Sequence, residues 1–128
     1  MAFTYRLDPQ TTLCRVRSPG PSDLRELHLV LQRIASDPGF GDRGVLIELP
    51  DLAGSRAAPD PGHFADRLRP LCHRFDGGIA FIPGSPIEEA TAHGLALALV
   101  YIGIAARSFD STEPALQWLS DPGTRTAD

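Results

Sequence analysis

Apolar and polar residues follow two different periods in the first half of the chain. They alternate over Phe3–Leu7 and Leu13–Arg17, and turn-forming residues separate the two runs, which predicts a β-hairpin. A helix is predicted next, because leucine and isoleucine recur at three- and four-residue intervals from Leu24 to Ile34. Ser22 or Asp23 is its expected N-cap, with Glu26 placed to complete a capping box from Asp23. The apolar run Gly44–Leu49 predicts the following strand.

The second half continues with alternating helices and strands. A helix is predicted over His63–Phe75, with Pro70 disturbing its middle because proline lacks a backbone N–H and crowds the preceding turn. A strand follows at Ile79–Ile82. The remaining predicted elements are a helix from Ser85 to near Gly103, a strand at Ala106–Phe109, and a closing helix capped by Ser111 or Thr112 that buries Trp118.

The predicted order is therefore ββαβαβαβα, an α/β fold with a mixed, mostly parallel sheet. Strands that are covered on both sides tend to be apolar on both faces. Here Arg15 and Arg17 alternate with apolar residues, and so does Glu48. We therefore expect the helices chiefly on one face of the sheet, with the other face partly polar and partly open.

Length and composition restrict the class of protein. The 128 residues suit one domain, which we place at 1–120 with a flexible tail at 121–128. The net charge of −4 disfavours a nucleic-acid partner. The longest apolar run, Gly94–Ala106, is too short for a membrane span of about 20 residues. With no secretory pattern at the N-terminus and two distant cysteines, Cys14 and Cys72, we expect free thiols and a cytoplasmic protein.

Candidate chemistry is sparse. Ser55 lies beside Arg56 after a central strand, where α/β folds commonly place ligands. Two interpretations of Ser55 stay open: a phosphorylation site in this loop, or an ordinary solvated serine. His63 with Asp51 and Asp60 suggests acid–base work, but a surface histidine is the favoured interpretation because no catalytic motif accompanies them. Cys72-His73 lacks two further metal ligands. We therefore predict no catalytic residue, metal or cofactor.

The segment Leu95–Ile104 is apolar nearly all round, whereas a helix on a sheet normally shows a polar stripe to solvent. Burial in the core is one explanation. A contact with another chain is the other, and it predicts a homodimer with Leu97, Val100 or Tyr101 at or near the interface. Arg15, Arg17 and Arg107 suggest a separate small basic area. A solvated face on which Glu48 pairs with these arginines is the favoured interpretation.

Several short segments resemble the SpoIIAA-like branch of the STAS (sulfate transporter and anti-sigma antagonist) family over roughly residues 13 to 120. They are Ser36–Phe40 before the strand Val45–Leu49, the strand Ile79–Ile82, His93–Leu95, and Phe109–Asp110 leading into Ala115–Leu119.

The resemblance implies a non-enzymatic domain that binds a protein partner or, as the alternative, a small apolar ligand or lipid held between the helix Ser85–Gly103 and the sheet. Phosphorylated members of the family resemble this chain through Asp51-Leu52 and then carry an Asp-Ser-Ser-Gly step. Arg56–Pro59 stands at that step here, without a hydroxyl, and Ser55 lies one residue earlier. An enzyme using Asp51, Ser55 and His63 is the least favoured interpretation.

Overall fold

The computed structural model describes residues 3–50 and 60–121. Within these residues the chain forms five strands and four α-helices in the predicted order. The strands are β1 (Thr4–Leu7), β2 (Leu13–Arg17), β3 (Gly44–Leu49), β4 (Ile79–Pro83) and β5 (Ala106–Ser108). The helices are α1 (Leu24–Ala35), α2 (Pro61–Leu68), α3 (Glu89–Tyr101) and α4 (Thr112–Ser120), with 3₁₀ segments at Arg69–Phe75 and Pro86–Glu88.

The five strands form one mixed sheet in the order β1-β2-β3-β4-β5. β1 runs antiparallel to β2, and every other neighbouring pair is parallel. The α/β class and the mixed, mostly parallel sheet are therefore confirmed. Each parallel crossover moves one strand further in the same direction, which places its helix on the same side of the sheet each time.

The first sheet face carries α1, α2 and α3. Val45, Ile47 and Phe81 are fully buried there against the inner sides of these helices, in the larger of two apolar clusters. Leu46 and Glu48 point to the second face, as the two-residue period of a strand requires. Leu46 is buried under α4, and Glu48 is half-buried.

The expectation of helices on one face holds for the first three helices and is wrong for α4. This helix follows the last strand, so no crossover dictates its side. It packs over Leu46 and Ala80 on the second face, with Trp118 and Leu119 buried between helix and sheet. Because α4 covers β3 and β4, the second face remains open mainly at the β1–β2 hairpin.

Local chemistry explains where the helices begin and end. Asp23 caps α1, since its Oδ1 accepts a hydrogen bond of 2.9 Å from the Glu26 backbone N–H. Pro70 does disturb the predicted His63–Phe75 helix: α-helical geometry ends at Leu68, and the chain continues as a 3₁₀ segment. Gly103 ends the α3 region with φ +98, a left-handed conformation that favours glycine.

Hydrogen bonds from arginine hold the connections together. Arg43 Nη1 donates to the main-chain oxygens of Asp8 at 2.7 Å and Thr11 at 2.6 Å, which fixes the β1–β2 turn against the start of β3. Arg74 Nε donates to the Ala35 oxygen at 2.9 Å at the end of α1. Among the described helices, none has both the length and the apolar character needed to cross a membrane.

Candidate interaction surfaces

Three residues of the predicted phosphorylated loop, Asp51, Ser55 and Arg56, lie outside the described residues. His63 is described and is exposed in the first turn of α2. Its backbone N–H donates a 3.0 Å hydrogen bond to Asp60 Oδ1, so Asp60 serves as the N-cap of α2. Asp60 therefore has a structural role at the helix start, and its sequence proximity to His63 reflects capping.

The described residues contain no group of three or more histidine, cysteine or carboxylate side chains that could hold a metal ion. Cys72 is half-buried and Cys14 is fully buried. Burial raises the pKa of the Cys14 thiol to about 12. This thiol is protonated at neutral pH and does not supply a nucleophile.

The α3 helix is apolar on both sides, and the structure divides it into a core side and an exposed side. Ala92, Leu95 and Leu99 are fully buried against the sheet and neighbouring helices. On the outer side, Leu97 is 58% exposed and Tyr101 is 85% exposed. The two explanations of this segment thus apply to different faces: the inner face is core, and the outer face is available for contact.

We define the α3 stripe as the exposed residues of the outer face, which recur at helical spacing. Glu89 in the first turn of α3 is also exposed at the edge of this face and is charged; the stripe begins after it and consists of apolar residues and one histidine. They are Ala90, His93, Leu97, Val100 and Tyr101. A solvent-facing helix side normally carries charged residues, so the composition of this stripe is typical of a surface covered by another molecule.

A shallow groove runs beside the α3 stripe, between α3 and α2. Its volume is about 410 Å³. It is open to solvent along its length and is lined mainly by apolar groups. They include Ala65, Leu97, Ala98, Tyr101 and Ile102. The stripe and the groove together form a continuous apolar surface on the outer side of the first helical layer.

The second candidate surface is basic and differs from the predicted area at Arg15, Arg17 and Arg107. Arg107 lies on β5, separated from β2 by two strands, and its guanidinium packs 5.4 Å from the centre of the Phe109 ring. Arg6 takes its place, because the hairpin register sets Arg6 directly opposite Arg15. The alternation in both strands contains this signal, but the pairing requires the register of the hairpin.

Comparison with protein-family models, with curated protein sequences and with solved structures gave no match.

Proposed function

We propose that this protein is a non-catalytic regulatory or protein-interaction module of the STAS-like class, and that the α3 stripe is its contact surface. The observation that carries the proposal is the exposure of Leu97 at 58% and Tyr101 at 85% on one side of α3 that carries no charged aspartate, glutamate or arginine after Glu89 in the first turn. Keeping large apolar side chains in water is costly, at about 25 cal/mol per Å² of apolar area. A protein partner that covers the stripe removes this cost. The proposed class rests on the short sequence segments that resemble the family.

A second copy of the chain is the partner that we propose first. After Glu89 the α3 stripe consists of apolar residues and one histidine, so two copies can pack these apolar residues against each other across a two-fold axis. Ala90 is a small exposed residue beside Leu97, and it permits close approach of the two helices. In such a dimer the residues predicted for the interface, Leu97, Val100 and Tyr101, lie at the contact.

Sedimentation velocity over a concentration series tests this proposal. We expect the wild type to be a dimer and Leu97→Glu to be a folded monomer, because the variant places an unpaired charge in an apolar interface. Leu29→Glu is the matched control, since Leu29 is 41% exposed on α1. A wild-type monomer at high micromolar concentration would refute the dimer. Equal dissociation by Leu29→Glu would refute the location.

The groove between α2 and α3 supports a second candidate function, binding of a small apolar ligand or a lipid chain. Its volume of about 410 Å³ and its apolar lining fit an acyl chain or a compact apolar molecule. The site differs from the predicted pocket beneath the helix, because Ala92, Leu95 and Leu99 fill that inner face. A native mass spectrum of protein purified from its own host distinguishes a retained ligand from a dimer.

A further inference from the structure

One face of the edge hairpin carries three arginines. Arg6 lies directly opposite Arg15 in the β1–β2 register, and Thr4 lies opposite Arg17. Residues in such pairs project from the same face, with Cβ atoms about 4.5–5.5 Å apart. Arg15 and Arg17 also share a face, because they are two residues apart on one strand. We call these three residues, Arg6, Arg15 and Arg17, the arginine face.

The arginine face points away from the first helical layer. The alternate residues of the hairpin, Tyr5, Leu7, Cys14 and Val16, pack against the core beneath α1, α2 and α3. The arginines therefore project from the second sheet face, where α4 covers β3 and β4. Arg6 and Arg17 are exposed and Arg15 is half-buried. The hairpin is the part of this face that α4 leaves open.

Two carboxylates share the neighbourhood of the arginine face. Asp8 ends β1, and Glu48 lies on β3 beside the end of β2. Neither forms an ion pair with the three arginines within the described ranges. The pKa of Asp8 is lowered mainly by the Gln10 backbone N–H, with smaller contributions from Thr11 and then from Arg6 and Arg15. The arginine face therefore keeps a net positive charge, and close ion pairs with these two carboxylates do not hold its guanidinium groups.

The pairing of Arg6 with Arg15 is unfavourable for the fold. Like charges directly opposite each other in an antiparallel pair destabilise the sheet. The composition does not impose this arrangement, because the protein carries a net charge of −4. No apolar packing requires it either, since the core contacts of the hairpin come from its other face. An anionic group bound between the two guanidinium groups would turn the repulsion into a favourable interaction.

We propose that the arginine face binds an extended, acidic segment of a partner protein. Arg15 and Arg17 emerge about 6.6 Å apart along β2, because a strand rises about 3.3 Å per residue. Alternate side chains of an extended peptide have the same spacing. Aspartate or glutamate at every second position thus presents one carboxylate to each guanidinium, and each pair can form two parallel hydrogen bonds.

A groove beside Arg15 extends the surface toward α4. Its volume is about 310 Å³. It offers hydroxyl and amide groups for a peptide main chain, together with an apolar contact for intervening side chains. The polar groups come from Thr11, Thr12, Gln117 and Ser120 and the apolar contact from Leu116; the Asp8 carboxylate also lines the groove, which therefore suits an uncharged residue of the bound segment. This combination suits a polypeptide better than an isolated phosphate, which would engage one or two arginines and leave the groove empty.

The probe is a short fluorescent peptide with glutamate at alternate positions, compared with the same peptide carrying glutamine. We expect saturable binding of the glutamate peptide by fluorescence anisotropy, and weaker binding as salt is added. Arg15→Gln and Arg17→Gln should each weaken binding about two- to fivefold, the range expected for one exposed ion pair. Arg25→Gln is the matched control, because Arg25 is exposed on α1, in the helical layer on the other side of the sheet.

A second measurement separates binding from folding. Arg15→Gln removes the repulsion with Arg6, so its melting temperature should equal or exceed that of the wild type while its affinity for the peptide falls. The proposal is overturned if the glutamine peptide binds as well as the glutamate peptide, or if Arg25→Gln weakens binding equally. It is also overturned if anionic lipid vesicles or duplex DNA bind more tightly than the peptide through the same arginines, which would assign the face to that ligand.

Discussion

His28 is a buried polar residue that should limit the stability of the protein. It lies on the inner side of α1 and is 3% exposed. Among the described residues, neither Nδ1 nor Nε2 has a hydrogen-bond partner. A neutral imidazole has one N–H donor and one acceptor nitrogen, so both groups lose their water on folding without replacement. This cost makes His28 the best position for a stabilising substitution.

Replacing His28 by leucine removes both unsatisfied groups and keeps a similar side-chain size. A buried polar group without a partner costs about 1–3 kcal/mol, whereas a volume-conserving change of shape costs less than about 1.5 kcal/mol. Leucine is also the better helix former. We therefore expect His28→Leu to raise the free energy of unfolding by about 1 kcal/mol at a pH where histidine is neutral.

The gain should increase as the pH falls. Burial is the main cause that lowers the pKa of His28, and the nearby charge of Arg67 lowers this pKa further. The Arg67 main chain raises it in part, although it forms no hydrogen bond with the ring. The unfolded chain therefore takes up a proton below a pH of about 6.5, while the folded protein resists it. Because the unfolded state binds more protons there, wild-type stability falls with decreasing pH, and His28→Leu lacks this contribution.

Urea unfolding followed by Trp118 fluorescence measures both effects, at about pH 8 and about pH 5. His73→Gln is the control, since His73 is exposed and its ring stays in water in both states. We expect the control to retain the wild-type pH dependence. A His28→Leu protein that is less stable than the wild type at the higher pH would refute the argument from unsatisfied groups. An unchanged pH dependence would refute the argument from burial of the ring.

Gly77→Ala and Trp118→Ala test the packing around the sheet, and Gly62→Ala is the control for Gly77→Ala. Gly77→Ala should destabilise the protein by about 3 kcal/mol, because a Cβ there would overlap the main-chain carbonyl oxygens of residues 42 and 43. Gly62→Ala, whose Cβ would have only an ordinary contact of 3.5 Å, should be neutral by thermal melting. Trp118→Ala should cost about 3–5 kcal/mol if α4 closes the second sheet face. An unchanged melting temperature, measured by circular dichroism, would make α4 peripheral.

Hydrophobic periodicity, together with the positions of turn-forming and helix-capping residues, predicted most of the fold. The strand Gly44–Leu49 and the cap at Asp23 agree with the structure in every particular. These elements are set by local chemistry, namely an uninterrupted apolar run and a side-chain acceptor at a helix start. The prediction that Pro70 disturbs its helix is confirmed: α-helical geometry ends at Leu68, and the chain continues in 3₁₀ geometry. The start of α3 differs, since Pro86–Glu88 forms a 3₁₀ turn and the helix begins at Glu89.

Features that depend on contacts between distant residues were not predictable in the same way. The side on which α4 packs depends on the need to cover Leu46 and Ala80, and the last strand imposes no crossover that would fix it. The arginine face likewise depends on the hairpin register, which places Arg6 opposite Arg15 and leaves Arg107 two strands away from β2. For α3, by contrast, the sequence pointed to Leu97, Val100 and Tyr101 as contact residues, and the structure exposes all three.

The two proposed surfaces lie on opposite sides of the sheet, and this geometry has a measurable consequence. The α3 stripe is the outer side of the first helical layer, whereas the arginine face projects from the second sheet face beside α4. A partner on one surface therefore does not block the other. We expect Leu97→Glu to bind the glutamate peptide with wild-type affinity, and a saturating amount of this peptide to leave the sedimentation of the wild-type dimer unchanged. Competition between peptide binding and self-association would refute the placement of the two contacts on opposite sides of the sheet.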